Sequence, residues 1–279
     1  MTWNQWNELP AEEADKMLFS CCGSNRWVKE LMPGFPFQSE EKWVEDAIRI
    51  WYEVCTETDW IESFGHHPKI GDLSSLKEKF AGTEQAGVAK ATEELLRKLS
   101  LSNAEYEARN GFIFIICATG KSAGEMLDLL QDRLQNSREE EISIAAGEQM
   151  KITLIRIQKL FHQANWKFLK NSHITTHVLD TSIGKTGQNI CIRLKDEQRN
   201  TIAQGRTNQD GRIPDLLPPM RFLTAGNYHM VFDTLSYFEA GNVIGFYPEV
   251  DIHFTVFDNT HYHIPLLINP FGYSTYRGS

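Results

Sequence analysis

Cysteine is scarce in this sequence, and its spacing excludes the common cysteine-based structures. The chain has 279 residues and an odd number of cysteines, which are Cys21, Cys22, Cys55, Cys117 and Cys191. None of them has the C-x-x-C spacing of a metal site, and an odd, dispersed set is not a disulfide framework. We therefore expect reduced thiols in a cytosolic protein, with the peroxisome as the alternative compartment in a eukaryote.

The sequence has fewer positively than negatively charged residues, and it has no long apolar runs. Lys and Arg number 28 against 37 Asp and Glu, so the net charge of -9 argues against nucleic acid as the main ligand. No charged-then-apolar leader opens the chain, and no apolar run approaches the ~20 residues that span a bilayer. We expect a globular protein, neither secreted nor membrane-spanning, and a small neutral or anionic metabolite in a local pocket stays open as its ligand.

The first part of the chain, residues 1–161, has apolar residues every three or four positions, which predicts helices. A helix is expected to start after Ser39, and the S-x-x-E sequences at Ser122 and Ser137 match the capping box that begins a helix. One run, 111–118, is continuously apolar and fits either a buried helix end or an extended segment. This part is therefore predicted to be mainly α.

From about Ile174 onward the apolar period changes to two, which predicts strands. The β-rich runs lie between Gly, Asn, Asp or Pro turns and cover residues 174–180, 189–195, 228–234, 250–256 and 262–268. Such spacings favour a β-sandwich or barrel, with one helical turn at 235–240. The expected fold is multi-domain: an all-α domain over 1–161, a linker over 162–173 that lacks either period, and an all-β domain over 174–279.

Taken singly, the polar residues of the β domain have ordinary structural explanations. His177 stands among β-branched residues, where a half-buried histidine bonded to backbone is common. The Asp210-Gly211 pair predicts a hairpin turn, beside which Arg212 would be solvated. His261 and His263 lie on one face of a strand and would need further ligands to hold zinc, so no metal site is predicted.

Four segments of the β domain become informative when they are taken together. They are ITTHVLD at 174–180, TNQDGRI at 207–213, GFYPEVDIHF at 245–254 and HYHIPLLINPFGYSTYRGS at 261–279. In this order they resemble the transthyretin-related 5-hydroxyisourate hydrolases. The YRGS segment separates these enzymes from transthyretin, a hormone carrier of the same fold. The resemblance implies a transthyretin-like sandwich that forms a homotetramer with active sites at a dimer–dimer interface.

The hydrolase resemblance also implies which residues act. It makes His177, Arg212 and His263 catalytic and assigns substrate binding to Tyr276, Arg277 and Ser279. These residue types suit the reaction, because an imidazole can deprotonate water near neutral pH and a cation can stabilise the developing oxyanion. Which histidine is the base is left open by the sequence.

The α domain has polar residues that also admit two explanations. Pro68 biases His67 away from helical geometry and into a turn, where the histidine is either an exposed surface residue or available for chemistry. Thr83 followed by Glu84 fits an ordinary helix start. Arg156 lies on the apolar last helix, and a cation so placed either snorkels to water or meets an anion.

Several motifs of the α domain together match a second family. HPKIG at 67–71, TEQAG at 83–87 and GFIFIICATGK at 111–121 resemble the OHCU decarboxylases, all-α enzymes that act without a cofactor. They convert OHCU, which is 2-oxo-4-hydroxy-4-carboxy-5-ureidoimidazoline, to S-allantoin. The resemblance implies His67 as the catalytic proton donor and a substrate pocket made of Pro68, Glu84, Gln85, Phe114, Ile115, Ile116, Cys117, Ala118 and Arg156. Many members carry Ser where this chain has Ala81, so a hydroxyl contact there is missing or replaced.

The two resemblances imply consecutive steps of urate breakdown. The hydrolase would form OHCU from 5-hydroxyisourate and the decarboxylase would consume it, so the chain is predicted to be a bifunctional enzyme without metal or cofactor. Two alternatives stay open: one domain is inactive and serves as an oligomerising scaffold, or the β domain is a transthyretin-like ligand carrier. Fusion keeps the intermediate close to its next site, with or without a channel.

Overall fold

The computed structural model describes residues 1–67, 86–119, 121–161, 166, 168–169 and 172–278, with side chains described from residue 93 in the helix that follows the first gap. Backbone contacts divide the chain into two compact units, Met1–Trp166 and Lys167–Ser279. Among the described helices, none combines the length and the hydropathy that crossing a bilayer requires.

The first unit is helical, which confirms the predicted all-α domain. Its helices are α1 (Trp3–Asn7), α2 (Ala11–Cys22), α3 (Asn25–Leu31), α4 (Glu40–Glu53), α5 (Glu57–Gly65), α6 (Ala86–Asn110), α7 (Ala123–Arg133) and α8 (Arg138–Lys159), with a 3₁₀ turn at Met32–Gly34. The helix starts expected after Ser39, Ser122 and Ser137 are confirmed, because each serine hydroxyl accepts a hydrogen bond from the backbone N–H three residues later. Ser122 and Ser137 form complete capping boxes with Glu125 and Glu140.

Helix α8 is the buried centre of this unit. It buries polar side chains as well as apolar ones, among them Glu148, Gln149 and Lys151. Trp51 of α4 donates its indole N–H to the Ala146 carbonyl over 2.9 Å, and this bond allows the tryptophan to be fully buried. A helix enclosed in this way can hold polar groups at fixed positions inside the unit.

The apolar run 111–118, which fitted either a helix end or an extended segment, lies in no helix and pairs in no strand of the described structure. Its backbone bonds to side chains instead. Arg133 donates Nη1–H to the Ile115 carbonyl over 2.7 Å, and the Cys117 N–H donates to Glu148 Oε2 over 2.7 Å. Arg133 is held in turn by the buried Glu141 carboxylate at 2.8 Å. Because buried backbone groups must be paired, these side chains replace the helix or sheet bonds that the run lacks.

The second unit is a two-sheet sandwich, which confirms the predicted all-β domain. Its strands are β1 (Ile174–Asp180), β2 (Lys185–Thr186), β3 (Cys191–Asp196), β4 (Thr201–Arg206), β5 (Gly226–Asp233), β6 (Glu249–Val256), β7 (Tyr262–Asn269) and β8 (Gly272–Thr275), with one helix, α9 (Thr234–Ala240). The sheet orders are β2-β1-β7-β8 and β4-β3-β5-β6. Strands β1 and β7 pair in parallel, and the other neighbours are antiparallel. Val178, Leu194, Phe232 and Leu266 belong to the single core between the sheets.

The alternating pattern located β1, β3, β5, β6 and β7, and it missed β2, β4 and β8. Strand β4 reads Thr-Ile-Ala-Gln-Gly-Arg, which has too few large apolar side chains to show an alternation. The predicted helical turn at 235–240 is confirmed as part of α9. The predicted hairpin at Asp210-Gly211 is wrong. A turn is present there, but it leads from β4 to an isolated bridge between Arg212 and His177, because β4 pairs with β3.

Candidate active sites

Strands β1 and β7 bring polar side chains together on the outer face of their sheet. In the parallel pairing Thr175 lies opposite His263. Because side chains alternate along a strand, His177 shares this face with Thr175, while Ile174 and Val178 are buried in the core between the sheets. His261, two positions before His263, borders the same cavity. The register therefore assembles a hydroxyl and three imidazoles within a small area.

A tight turn brings Arg212 to this face. Gly211 has φ +70°, and a Cβ at this position would collide with the Val178 carbonyl, so a glycine is needed for the turn to approach β1. Arg212 then donates Nη2–H to His177 Nδ1 over 3.1 Å. A guanidinium can only donate, so the neutral His177 ring carries its proton on Nε2.

The segment after β8, residues 276–278, packs beside His263 on this face of the sheet. The Gly278 N–H donates to the His263 carbonyl over 3.0 Å. A Cβ at position 278 would overlap the His263 imidazole, so the close approach of the backbone requires a glycine. The segment thus places Tyr276 at the cavity and fixes the backbone beside His263.

These elements line a cavity of about 390 Å³ in the β unit. Its lining residues are Thr175, Thr176, Arg212, Ile213, Pro214, His261, His263, Tyr276 and Gly278. The predicted residues Arg212, His263 and Tyr276 therefore come together, and His177 joins them through its bond to Arg212. Thr175 was not predicted, although its position two residues before His177 places both side chains on one face of a strand.

The remaining predicted residues of this site lie elsewhere or are not described. Arg277 is absent from the cavity lining, because its guanidinium lies over the Tyr262 ring, 5.3 Å from the ring centroid. Neighbouring residues of an extended segment point to opposite sides, which explains why Tyr276 and Arg277 separate. Ser279 lies outside the described residues.

His177 and His263 of this site are neutral near pH 7, because the pKa of each is lowered from its ordinary value. Burial lowers the pKa of His177, and the charge of Arg212 lowers it further. Burial also lowers the pKa of His263, and Arg212, His261 and His177 each add to that effect. Neutral imidazoles beside a permanent cation can take a proton from water and donate an N–H to an oxygen. The arrangement is suited to the attack of water on a polarised carbonyl.

The helical unit has a second candidate site around His67, which follows helix α5. The His67 backbone N–H donates to the Phe64 carbonyl over 3.1 Å and continues the helix end as a turn. Arg156 of α8 donates Nη2–H to His67 Nδ1 over 3.4 Å and Nη1–H to the Cys21 carbonyl over 3.2 Å. No described carboxylate pairs with Arg156, so its charge is available to an anion in the neighbouring cavity.

This cavity has a volume of about 370 Å³. Its lining residues are His67, Phe114, Ile115, Ile116, Cys117, Ala118, Thr119, Ile152, Ile155, Arg156 and Lys159. The structure therefore joins the predicted His67, Arg156 and the whole run 114–118. Lys159 was not predicted, although its position three residues after Arg156 places both on one side of α8. The predicted Pro68, Glu84 and Gln85, and the departure at Ala81, lie outside the described residues.

His67 is held as a neutral ring with a defined tautomer. Burial and the charge of Arg156 lower the pKa of His67 to about 4, and the Gln149 amide opposes this shift. Because the Arg156 guanidinium donates to Nδ1, the proton of the neutral ring is on Nε2. The cavity thus combines the Nδ1 side of a neutral imidazole, a cation and an apolar wall, which suits binding and protonation of a small anion.

The described residues contain no group of His, Cys, Asp and Glu side chains that could hold a metal ion.

The family model described as OHCU decarboxylase matches residues 7–158, and the one described as HIUase/Transthyretin family matches residues 174–278.

Three known proteins illustrate the similarity. The uric acid degradation bifunctional protein TTL of Arabidopsis thaliana is 32% identical over 93% of this chain and 96% of its own length. The 5-hydroxyisourate hydrolase of Mus musculus is 40% identical over 39% of this chain and 98% of its own length. A solved structure of OHCU decarboxylase in the presence of (S)-allantoin is 37% identical over 53% of this chain and 99% of that chain, with a TM-score of 0.46.

Proposed function

The chain belongs to the OHCU decarboxylase family and carries an HIUase/Transthyretin domain on the same polypeptide, and we propose that it is a bifunctional enzyme of urate degradation. It hydrolyses 5-hydroxyisourate to OHCU and decarboxylates OHCU to S-allantoin. We assign decarboxylation to residues 1–161 and hydrolysis to residues 174–279, joined by a linker at 162–173. The observation that supports both activities is that each unit has a cavity lined by an arginine that holds a neutral histidine in one tautomer.

In the hydrolytic site the bond from Arg212 separates the roles of the two histidines. Neutral His177 has its proton on Nε2, so it donates a hydrogen bond and cannot take a proton from water there. His263 is therefore the base that deprotonates the attacking water. His177 and Arg212 stabilise the oxyanion that forms on the attacked carbonyl, and Tyr276 binds the substrate.

In the decarboxylation site the substrate carboxylate binds beside Arg156 and leaves as carbon dioxide. The negative charge left behind spreads over the imine and carbonyl of the substrate, so the protein needs only to hold the carboxylate away from water and to deliver a proton. The substrate carboxylate takes over the hydrogen bond of Arg156 and opposes the lowering of the His67 pKa, so His67 Nδ1 is released and takes up a proton when the substrate binds. It returns that proton to one face of the carbanion, which sets the hand of the product.

The proposed function is tested by generating 5-hydroxyisourate in situ from urate. We expect the chain to speed the decay of 5-hydroxyisourate absorbance and then the appearance of the circular dichroism of S-allantoin, both relative to the spontaneous reactions. Unchanged decay of the first absorbance would reject hydrolysis. Racemic allantoin formed at the spontaneous rate would reject decarboxylation, so the two halves of the proposal fail separately.

We also propose that the β unit assembles the chain into a homotetramer. An apolar patch, made of Ile244, Phe246, Tyr247, Phe271 and Tyr273, is exposed beside the edge strand β8, and its largest exposed fractions are 84% for Ile244 and 73% for Phe271. The patch is continuous, because the Phe246 N–H bonds to the Pro270 carbonyl and the rings of Tyr247 and Tyr273 pack at 5.2 Å. Exposed apolar surface of this kind marks a protein interface.

Placing a charge in this patch is expected to dissociate the tetramer. A carboxylate at Phe271 would have to be buried without a partner in the interface, which is strongly unfavourable. Light scattering on Phe271→Glu should therefore give a mass below four chains, whereas wild type gives four. Phe257→Glu is the matched control, because Phe257 is 69% exposed and follows the opposite end of β6 from the patch. A Phe271→Glu chain that remains tetrameric would exclude this patch as the interface.

A further inference from the structure

We propose that Thr175 and His261 form a proton relay with His263, through which the catalytic imidazole passes its charge to the solvent-exposed histidine. The inference rests on the proposed hydrolytic function and extends it by two residues. Neither residue was assigned a role from the sequence, where His261 was indistinguishable from an exposed surface histidine. The relay supplies a step that the site otherwise lacks, which is removal of the proton taken from water.

The geometry of the three groups carries the inference. The Thr175 hydroxyl oxygen lies 3.0 Å from His263 Nδ1 and 2.7 Å from His261 Nε2. The two imidazole rings are nearly parallel, at 19°, with centroids 6.4 Å apart. A hydroxyl can donate one hydrogen bond and accept another at the same time, so Thr175 links the two rings in a continuous chain of hydrogen bonds.

The number of protons on His263, Thr175 and His261 is conserved through the transfer. In the resting state His263 Nδ1–H donates to the Thr175 oxygen, and the Thr175 hydroxyl donates to His261 Nε2. His263 Nε2 then has a free lone pair, which accepts the proton of the attacking water. The resulting imidazolium gives its Nδ1 proton to the threonine oxygen, and the threonine proton moves to His261 Nε2. His263 is then neutral with its proton on Nε2, and His261 carries the positive charge. When the C–N bond breaks, the leaving nitrogen takes the second proton of the water from the new carboxyl group, so the products are an N–H, a carboxylate and the one proton on His261.

The surrounding charges explain why such a transfer is favourable. The groups that act on His263 are Arg212, His177 and His261, and together with burial they lower its pKa. An imidazolium at His263 therefore stands in a partly buried position near the Arg212 guanidinium. His261 is exposed, so water solvates its charge and can remove the proton directly. Moving the charge from His263 to His261 thus returns the base to its neutral form.

Replacing either relay residue should slow hydrolysis while leaving substrate binding intact. We expect Thr175→Val and His261→Gln each to lower kcat for 5-hydroxyisourate at least about 10-fold with little change in KM, because they leave general-base catalysis without its proton outlet. Thr175→Ser keeps the hydroxyl and should retain the wild-type rate. His253→Gln is the matched control, because it removes an exposed histidine of the other sheet.

Solvent isotope effects and chemical rescue separate a relay from a purely structural role. In mixtures of H₂O and D₂O the wild-type rate should fall non-linearly with the deuterium fraction, because several protons move together, and the Thr175→Val rate should fall linearly. Added imidazole should restore His261→Gln, since a soluble base can replace the outlet. The far-UV circular dichroism and the thermal unfolding of the variants, compared with wild type, report that the β unit is folded.

The outcomes distinguish the relay from the function on which it rests. Wild-type kcat in both Thr175→Val and His261→Gln would overturn the relay and leave hydrolysis standing. Reduced rates with an unchanged isotope profile and no rescue by imidazole would also overturn it, because they indicate loss of packing only. A wild-type chain that does not accelerate the decay of 5-hydroxyisourate would reject hydrolysis and the relay together.

Discussion

The His67→Asn variant is expected to lose decarboxylation by about 100-fold or more while hydrolysing 5-hydroxyisourate at the wild-type rate. Asparagine keeps an oxygen acceptor near the position of His67 Nδ1, where Arg156 donates its hydrogen bond. It has no basic ring nitrogen, so it cannot take up a proton and deliver it to the substrate. The substitution therefore removes the proton donor. It keeps a hydrogen-bond acceptor for Arg156, the cation that binds the substrate.

The measurement follows both steps in one reaction. Urate is oxidised in situ, the first absorbance decay reports hydrolysis, and circular dichroism reports formation of S-allantoin. His66→Asn is the matched control, because His66 is the adjacent histidine, is exposed and does not line the cavity. Optically active allantoin formed by His67→Asn at the wild-type rate would exclude His67 as the proton donor.

The parts of this structure that the sequence predicts well are those decided within a few residues. The helix starts at Ser122 and Ser137 depend on a hydroxyl and a glutamate three positions apart, so their chemistry is visible in the sequence. The bounds of β1 follow from alternation over 174–180, because one face meets the core. Strand β4 was missed because its place is decided by pairing with β3 and not by its own side chains.

The site contacts that were not predicted depend on tertiary structure. The bond between Thr175 and His263 requires a parallel register between two strands 88 positions apart. The run 111–118 is held by Arg133 and Glu148 from two different helices, and no local pattern specifies such contacts. The family resemblance located the motif around Tyr276, but only the folded structure shows that the Arg277 guanidinium lies over the Tyr262 ring and is absent from the cavity lining.

The Arg212→Lys variant is expected to lose hydrolysis by about 100-fold or more, although the substitution keeps the charge. A guanidinium presents several N–H groups in one plane, so Arg212 can donate to His177 Nδ1 and to a developing oxyanion at once. A lysine ammonium is a compact charge on a flexible stem and does not reproduce both directions. The His177 ring is then free to turn or to change its tautomer, and the oxyanion loses two aligned donors.

The pH dependence distinguishes this explanation from simple loss of packing. Arg212 lowers the pKa of both His177 and His263, so Arg212→Ala should raise both pKa values towards the ordinary range. The remaining hydrolysis of Arg212→Ala should therefore begin to fall at a higher pH than wild type as the solution is acidified, because the base is protonated sooner. Added guanidinium should restore part of the rate and reverse this shift. Arg193→Lys, on the other sheet, is the matched control. A pH profile unchanged in Arg212→Ala would mean that Arg212 does not act on the histidines, and His177 would then lose its assignment as a donor fixed by that bond.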